Sequence, residues 1–76
     1  MNPQPVAMVF DHAAFKRVRE ASGMSQELVA GLAGCGVSTV QRLEVGAVDP
    51  QGSTIAALAQ VLNVPLGLLY RPKETA

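Results

Sequence analysis

The stretch that decides the fold of this 76-residue chain runs from Met24 to Gly46 and reads MSQELVAGLAGCGVSTVQRLEVG. Apolar residues recur in it at helical spacing in two short runs, and Gly34 and Gly36 lie between the runs. Ser25 is the predicted N-cap of the first run, because its hydroxyl can accept a hydrogen bond from an unpaired backbone N–H. The pattern predicts two short helices joined by a tight turn, with the outer face of the second helix left free.

The whole chain predicts an all-α, compact five-helix fold. Hydrophobic residues make up 49% of the sequence and aromatic residues only 4%, which favours a core of Leu, Val, Ile and Ala between packed helices in one domain. Helix one is capped by Asp11 and ends at Gly23, helix three runs from Val37 to Val45, and helix four from Ser53 to Leu62. A short fifth turn follows Pro65. The inward positions of the second helix are predicted to be Val29, Ala30, Leu32 and Ala33, and Leu66 and Leu69 are expected to return to the core.

These elements divide the chain into an extended N-terminal arm (1–10), a helical domain (11–70) and a polar C-terminal tail (71–76). Six basic and six acidic residues give a net charge of zero, which counts against tight binding to nucleic acid by a single copy. One cysteine fits a reducing compartment. No signal peptide and no apolar run near 20 residues is apparent, so we expect a cytoplasmic protein without a membrane segment.

In order and spacing, these signals resemble the lambda-repressor-like helix-turn-helix family, the XRE family that includes the Cro and CI repressors. The resemblance covers about Phe15 to Leu69. Gly23–Glu27 opens helix two, Ser38–Glu44 with Gly46 forms the recognition helix, and Asp49-Pro50 precedes helix four. It implies a sequence-specific DNA-binding transcriptional regulator, with repression as the expected role. Such a protein inserts helix three into the major groove of double-stranded DNA as a homodimer.

The resemblance also implies site residues. Gln26 would donate to a phosphate from the start of helix two, and Arg42 could bond both acceptors of a guanine. Arg19 and Glu44 would form a structural ion pair that sets the angle of helix three. The residues expected to meet DNA through helix three are Val37, Ser38, Thr39, Gln41 and Arg42, and the candidate phosphate contacts on helix one are Lys16 and Arg17. An ordinary solvated helix face is the alternative interpretation of these positions.

One departure from the family pattern supports a second hypothesis. Val45-Gly46-Ala47-Val48 stands where family members often carry basic residues. Val37, Val45 and Val48 could form an apolar strip, and clustered exposed apolar residues more often mark a contact with protein than with DNA. The alternative is therefore a protein-interaction module of the same fold, antitoxin-like or a regulatory partner, with weak DNA binding. For a homodimer, the candidate surfaces are the segment Pro65 to Tyr70 and the N-terminal arm.

An enzyme is the weakest hypothesis, because no set of residues for nucleophilic, acid–base or phosphate chemistry lies at useful spacing. Cys35 is expected to be a small buried hydrophobe and His12 a solvent-facing side chain. Neither has a partner at metal-ligand spacing. The sequence therefore predicts no catalytic residue, no metal site and no cofactor.

Overall fold

The structure is a computed structural model that describes residues 7–73. Four α-helices follow one another, and a short strand lies on either side of them. The elements are β1 (Met8–Phe10), α1 (His12–Ala21), α2 (Gln26–Ala33), α3 (Val37–Val45), α4 (Gly52–Leu62), a 3-10 turn (Leu66–Leu69) and β2 (Tyr70–Pro72).

Local capping sets the bounds of the helices. The Asp11 carboxylate accepts a hydrogen bond from the N–H of Ala14 at 3.0 Å, and the Ser25 hydroxyl accepts one from the N–H of Leu28 at 3.0 Å. Both predicted N-caps are confirmed. Gly34 and Gly46 end α2 and α3 in the left-handed conformation, with φ of 75° and 71°, a conformation that glycine adopts without steric cost.

The core lies between the four helices and the 3-10 turn. Its buried members are Phe15, Val29, Ala30, Val40, Leu43, Ile55, Leu58, Ala59, Leu62 and Leu69. Two of the core predictions are wrong. Leu32 is 61% exposed and Leu66 is 46% exposed. Leu32 lies about 60° around α2 from Val29 and about 160° from Ala30, so it falls outside the narrow buried stripe of this short helix.

The fifth helix and the all-α class need correction. The segment after Pro65 is one 3-10 turn, and the chain then continues as β2, so the fold is mainly helical with a two-stranded sheet. β2 is antiparallel to β1, in the register Met8↔Pro72, Val9↔Arg71 and Phe10↔Tyr70. Strands of three residues are too short to show an alternating pattern in the sequence.

The sheet joins the two ends of the described chain. β1 lies wholly within the predicted arm and ends at its boundary with the helical domain, whereas β2 spans the predicted boundary at residues 70–71. The remaining parts of the predicted arm and tail, residues 1–6 and 74–76, lie outside the described residues. The Phe10 ring packs between two other rings, with centroid distances of 5.8 Å to Phe15 and 6.3 Å to Tyr70, and this contact attaches the sheet to the core. Within residues 7–73, no helix has the length and apolarity needed to cross a membrane.

Candidate nucleic-acid interface

The outward face of α3 is formed by Ser38, Gln41, Arg42 and Val45, all of which are exposed. The opposite face carries Val40, Leu43 and Glu44, which are buried. This division follows from the helical period, which places residues 38, 41, 42 and 45 within about 100° of one another around the axis. The face therefore presents one cation, two neutral polar groups and one valine, and Val45 is 71% exposed.

Two of the five α3 residues expected to meet DNA lie at the edge of this face. Val37 is half-buried and packs against the hydrophobic core. Thr39 is half-buried and lines a cleft together with Cys35 and Thr54. Ser38, Gln41 and Arg42 are thus the polar side chains that α3 presents outward.

A buried ion pair lies behind α3. The Nη2 atom of Arg19, on α1, donates to Oε1 of Glu44 at 3.1 Å, and its Nε atom donates to Oε2 of the same carboxylate. The Nη1 atom of Arg19 also donates to the carbonyl oxygen of Met24 at 2.9 Å. The Glu44 side chain is only 2% exposed and that of Arg19 12%. Because α1, α3 and the segment before α2 meet at this guanidinium, the pair holds α3 at one angle.

Gln26 joins the same cluster, which the sequence did not indicate. Its Nε2 atom donates to Oε1 of Glu44 at 3.0 Å. An amide nitrogen carries two hydrogens, so one remains for another acceptor. No sequence pattern indicates this contact, because Gln26 and Glu44 are 18 residues apart and lie on two helices that only the packing of the fold brings together.

The ionisation of Glu44 reflects these contacts. Burial raises the pKa of its carboxyl group, but hydrogen bonds from Arg19 and Gln26, with smaller contributions from the charges of Arg19 and Lys16, outweigh it and leave the pKa lowered. The hydrogen bond to Glu44 raises the pKa of Arg19. Both partners are therefore charged at neutral pH, and the carboxylate is satisfied from two helices.

The two candidate phosphate contacts on α1 point in different directions. Both side chains are exposed. With 3.6 residues per turn, Lys16 lies about 60° around the helix from Arg19, whereas Arg17 lies about 160° from it. Since Arg19 points at Glu44 on α3, Lys16 is on the side of α1 nearer α3 and Arg17 is on the far side. The structure thus does not bring Lys16 and Arg17 together.

His12 contacts the C-terminal end of α3. Its Nδ1 atom lies 3.3 Å from the carbonyl oxygen of Glu44, and its ring covers Gly46, where an added Cβ would come within 3.0 Å of the ring. The side chain is exposed, as expected, yet it supports the turn after α3. Within residues 7–73, no group of three or more histidine, cysteine or acidic side chains is arranged to hold a metal ion.

The predicted apolar strip is shorter than expected. Val45 and Val48 are exposed, but Val37 packs on the core. Cys35 is half-buried rather than fully buried and also packs against the core.

Two closely packed helices, a tight glycine turn between them and an exposed second helix define a helix-turn-helix protein. The chain belongs to the lambda-repressor-like helix-turn-helix family: the model of HTH_3, described as helix-turn-helix, matches residues 15–69. The resemblance drawn from the sequence is thereby confirmed.

Solved structures share the fold. The restriction-modification controller protein C.AhdI from Aeromonas hydrophila matches with a TM-score of 0.74 and 31% identity, over 76% of this chain and 88% of that chain. The P22 c2 repressor protein, in complex with a synthetic operator, matches with a TM-score of 0.72 and 17% identity, over 76% and 88% of the two chains. The hypothetical transcription factor NHTF from Neisseria matches with a TM-score of 0.72 and 22% identity, over 95% and 88%. At 17% and 22% identity, the last two show the fold alone. No curated protein matches the chain in sequence.

Proposed function

We propose that this protein is a sequence-specific DNA-binding transcription regulator, acting as a repressor, that inserts α3 into the major groove as a homodimer. The observation that carries the proposal is the placement of α3. The buried cluster of Arg19, Glu44 and Gln26 holds this helix from behind, while Ser38, Gln41 and Arg42 are exposed on the other side. A rigid helix with free polar groups on one face is what reading of base edges requires.

Each exposed side chain of α3 has a matching base contact. The guanidinium of Arg42 can bond O6 and N7 of guanine together, and the amide of Gln41 can bond N6 and N7 of adenine. Ser38 can donate to a base acceptor or to a phosphate. Val45, which is exposed beside them, can pack on the methyl group of a thymine. The proposed readout therefore uses two bidentate contacts, from Arg42 and Gln41, and two smaller ones, from Ser38 and Val45.

Gln26 and Lys16 are the proposed phosphate contacts. Gln26 is the first residue of α2, where unpaired backbone N–H groups favour an anion. Its second amide hydrogen is free to donate to a phosphate while the first stays on Glu44. With so few cations, one copy neutralises few phosphates and binds weakly. A homodimer contacting two half-sites about one helical turn apart compensates for this weakness.

Selection from a random duplex library, followed by fluorescence anisotropy on the selected site, tests the proposal. We expect a two-fold symmetric motif. Arg42→Ala should weaken binding by about 1–3 kcal/mol per half-site and relax the preference at one base pair. Arg17→Ala is the matched control, because Arg17 is an exposed arginine on the far side of α1 and should change the affinity little. Equal affinity for selected and random DNA would refute the proposal.

The alternative function, a protein-interaction module, is favoured by Val45 and Val48, two exposed valines at and just after the end of α3. Val45→Lys distinguishes the two functions. If α3 faces DNA, the added cation raises the affinity for any duplex and steepens its salt dependence. If α3 faces a protein partner, DNA affinity stays unchanged.

A further inference from the structure

The outer edge of β1 is unpaired within residues 7–73, because the sheet there consists of β1 and β2 alone. Hydrogen bonds flank the ladder at both ends: the N–H of Lys73 donates to the carbonyl of Ala7 at 2.8 Å, and the N–H of Asp11 donates to that of Leu69 at 2.8 Å. In an antiparallel pair, bonded and non-bonded positions alternate. Val9 is therefore bonded to Arg71, and the backbone groups of Met8 and Phe10 point outward.

The outer edge of β2 is not equivalent. Pro72 occupies an outward-pointing position and has no N–H to donate. The N–H of Tyr70, the other outward position, donates to the carbonyl of Gly67. Arg71 and Lys73 add positive charge to this strand and its end. Proline and cationic residues are the usual means by which a sheet edge is protected from pairing. The outer edge of β2 is thus blocked against strand pairing, whereas the outer edge of β1 is open to it.

The unpaired edge of β1 borders a cleft that is lined mostly by apolar side chains. Met8, Phe10 and Val48 line this cleft together with Gly46, which ends α3. Met8 is 52% exposed, and Val48 is exposed as well. Asp49 is the only charged residue among the described residues that line the cleft. The unpaired backbone groups therefore lie next to apolar side chains that are still open to water, as at many strand-pairing sites.

We propose that β1 pairs antiparallel with β1 of a second copy of this chain, so that two two-stranded sheets join into one. An antiparallel arrangement centred on Val9 places Met8 opposite Phe10 of the partner subunit. The outward-pointing groups of both residues then bond with one another. A two-fold axis makes the contact self-complementary. β1 itself carries no charged side chain, whereas pairing through β2 would bring like charges together at Arg71.

This assignment rests on the homodimer of the proposed function and identifies its interface. The cleft beside β1 is lined by Gly46, at the end of α3. The interface between the two copies therefore lies beyond the C-terminal end of α3. Ser38, Gln41 and Arg42, on its outward face, stay uncovered and remain free to meet DNA.

The test compares Met8→Pro with Met8→Ala in the full chain without DNA. Both substitutions remove the same side chain, but only proline removes the outward N–H, and neither removes a bond to β2. Sedimentation equilibrium is expected to give a dimer for Met8→Ala and a dissociation constant about tenfold or more higher for Met8→Pro. Equal melting temperatures would verify that both variants fold. Equal dissociation constants for the two variants, or a monomeric wild-type protein, would overturn the proposal.

A cross-link gives a second readout. In a Cys35→Ala background, Val9→Cys places two thiols opposite each other across the two-fold axis, at a spacing that suits a disulfide. We expect oxidation to give a covalent dimer. Arg71→Cys is the control, because it lies on the same face one strand farther from the axis and should not cross-link. If the protein is a dimer but the Val9→Cys variant does not cross-link, the proposal is overturned. The interface would then lie elsewhere, for example at the exposed Leu66 and Leu68 of the 3-10 turn.

The proposed function can fail separately from this interface. Suppose that Arg42→Ala binds DNA as well as the wild type, but the Val9→Cys cross-link forms. The proposed DNA contact through α3 would then be refuted, whereas the proposed dimer interface through β1 would be supported.

Discussion

Removing the Glu44 carboxylate should destabilise the domain more than any change on the outward face of α3. Glu44→Ala leaves the Arg19 guanidinium, whose side chain is 12% exposed, with no counter-charge. Breaking a buried pair by removing one partner costs about 3–5 kcal/mol. The Gln26 amide also loses its acceptor, which adds on the order of 1 kcal/mol. Since a domain of this size has a total stability of roughly 4–11 kcal/mol, Glu44→Ala should retain little of it.

Thermal unfolding followed by circular dichroism, with Arg42→Ala as the matched control, measures this effect. Arg42 is on the same helix but is exposed and makes no ion pair among the described residues, so its replacement should cost no more than about 0.5 kcal/mol. For a domain of this length, 1 kcal/mol shifts the Tm by about 4–8 °C. We expect Glu44→Ala to lower the Tm by more than about 12 °C, and Arg42→Ala by less than about 4 °C.

A double variant tests whether the loss comes from an uncompensated charge. In Arg19→Ala/Glu44→Ala both charges are absent, and the free energy of unfolding should recover part of what Glu44→Ala loses. Equal Tm values for Glu44→Ala and Arg42→Ala would refute the reasoning. So would a double variant whose loss equals the sum of the two single losses, because additivity would mean that the two side chains do not interact.

Three further predictions concern acid sensitivity, a glycine and a cap. Because the pKa of Glu44 is lowered in the folded protein, its stabilisation is fully present above the ordinary Glu pKa of about 4.3 and is lost as the pH falls through the lowered value. Melting curves between about pH 7 and pH 2.5 should therefore depend less on pH for Glu44→Gln than for the wild type. Gly46→Ala should cost more free energy of unfolding in urea than Gly34→Ala. Both glycines have a positive φ, but only at Gly46 would the added Cβ meet a neighbour, the His12 ring. Adding His12→Ala should therefore reduce the loss of stability caused by Gly46→Ala, but not the loss caused by Gly34→Ala. Ser25→Ala should lower the free energy of unfolding by about 1 kcal/mol in the same urea assay, because the N–H of Leu28 loses its acceptor, the Ser25 hydroxyl. An unchanged free energy of unfolding would show that water replaces the hydroxyl.

The net charge of the chain does not show which of its charges are free to meet DNA. Six basic and six acidic residues cancel overall, but one cation and one anion of that total neutralise each other behind α3. Arg17 lies on the side of α1 away from α3. Arg42 and Lys16 are the cations left near the proposed interface, so in the proposed homodimer the second copy should add more to the affinity for DNA than any single phosphate contact does. We therefore expect a modest salt dependence for one copy and a steeper one for the dimer.

The helix bounds and the turn were predictable from the sequence because their causes are local. An N-cap such as Ser25 acts over three residues, and a terminal glycine such as Gly46 acts within one turn. The same holds for the buried stripe of α3, which follows from the 3.6-residue period. The family pattern depends on these same local signals, and its predicted ion pair between Arg19 and Glu44 is present.

Tertiary packing decided the features that depend on distant parts of the chain. It placed Gln26 on Glu44, exposed Leu32, packed Val37 against the core and put Lys16 rather than Arg17 on the side of α1 nearer α3. It also paired Met8–Phe10 with Tyr70–Pro72, which no pattern of three residues could indicate. Local signals set where helices begin and end and which stripe is apolar. The relative position of two helices or two strands depends on the contacts of the whole core, so which polar groups meet and which edge stays open are properties of the folded chain alone.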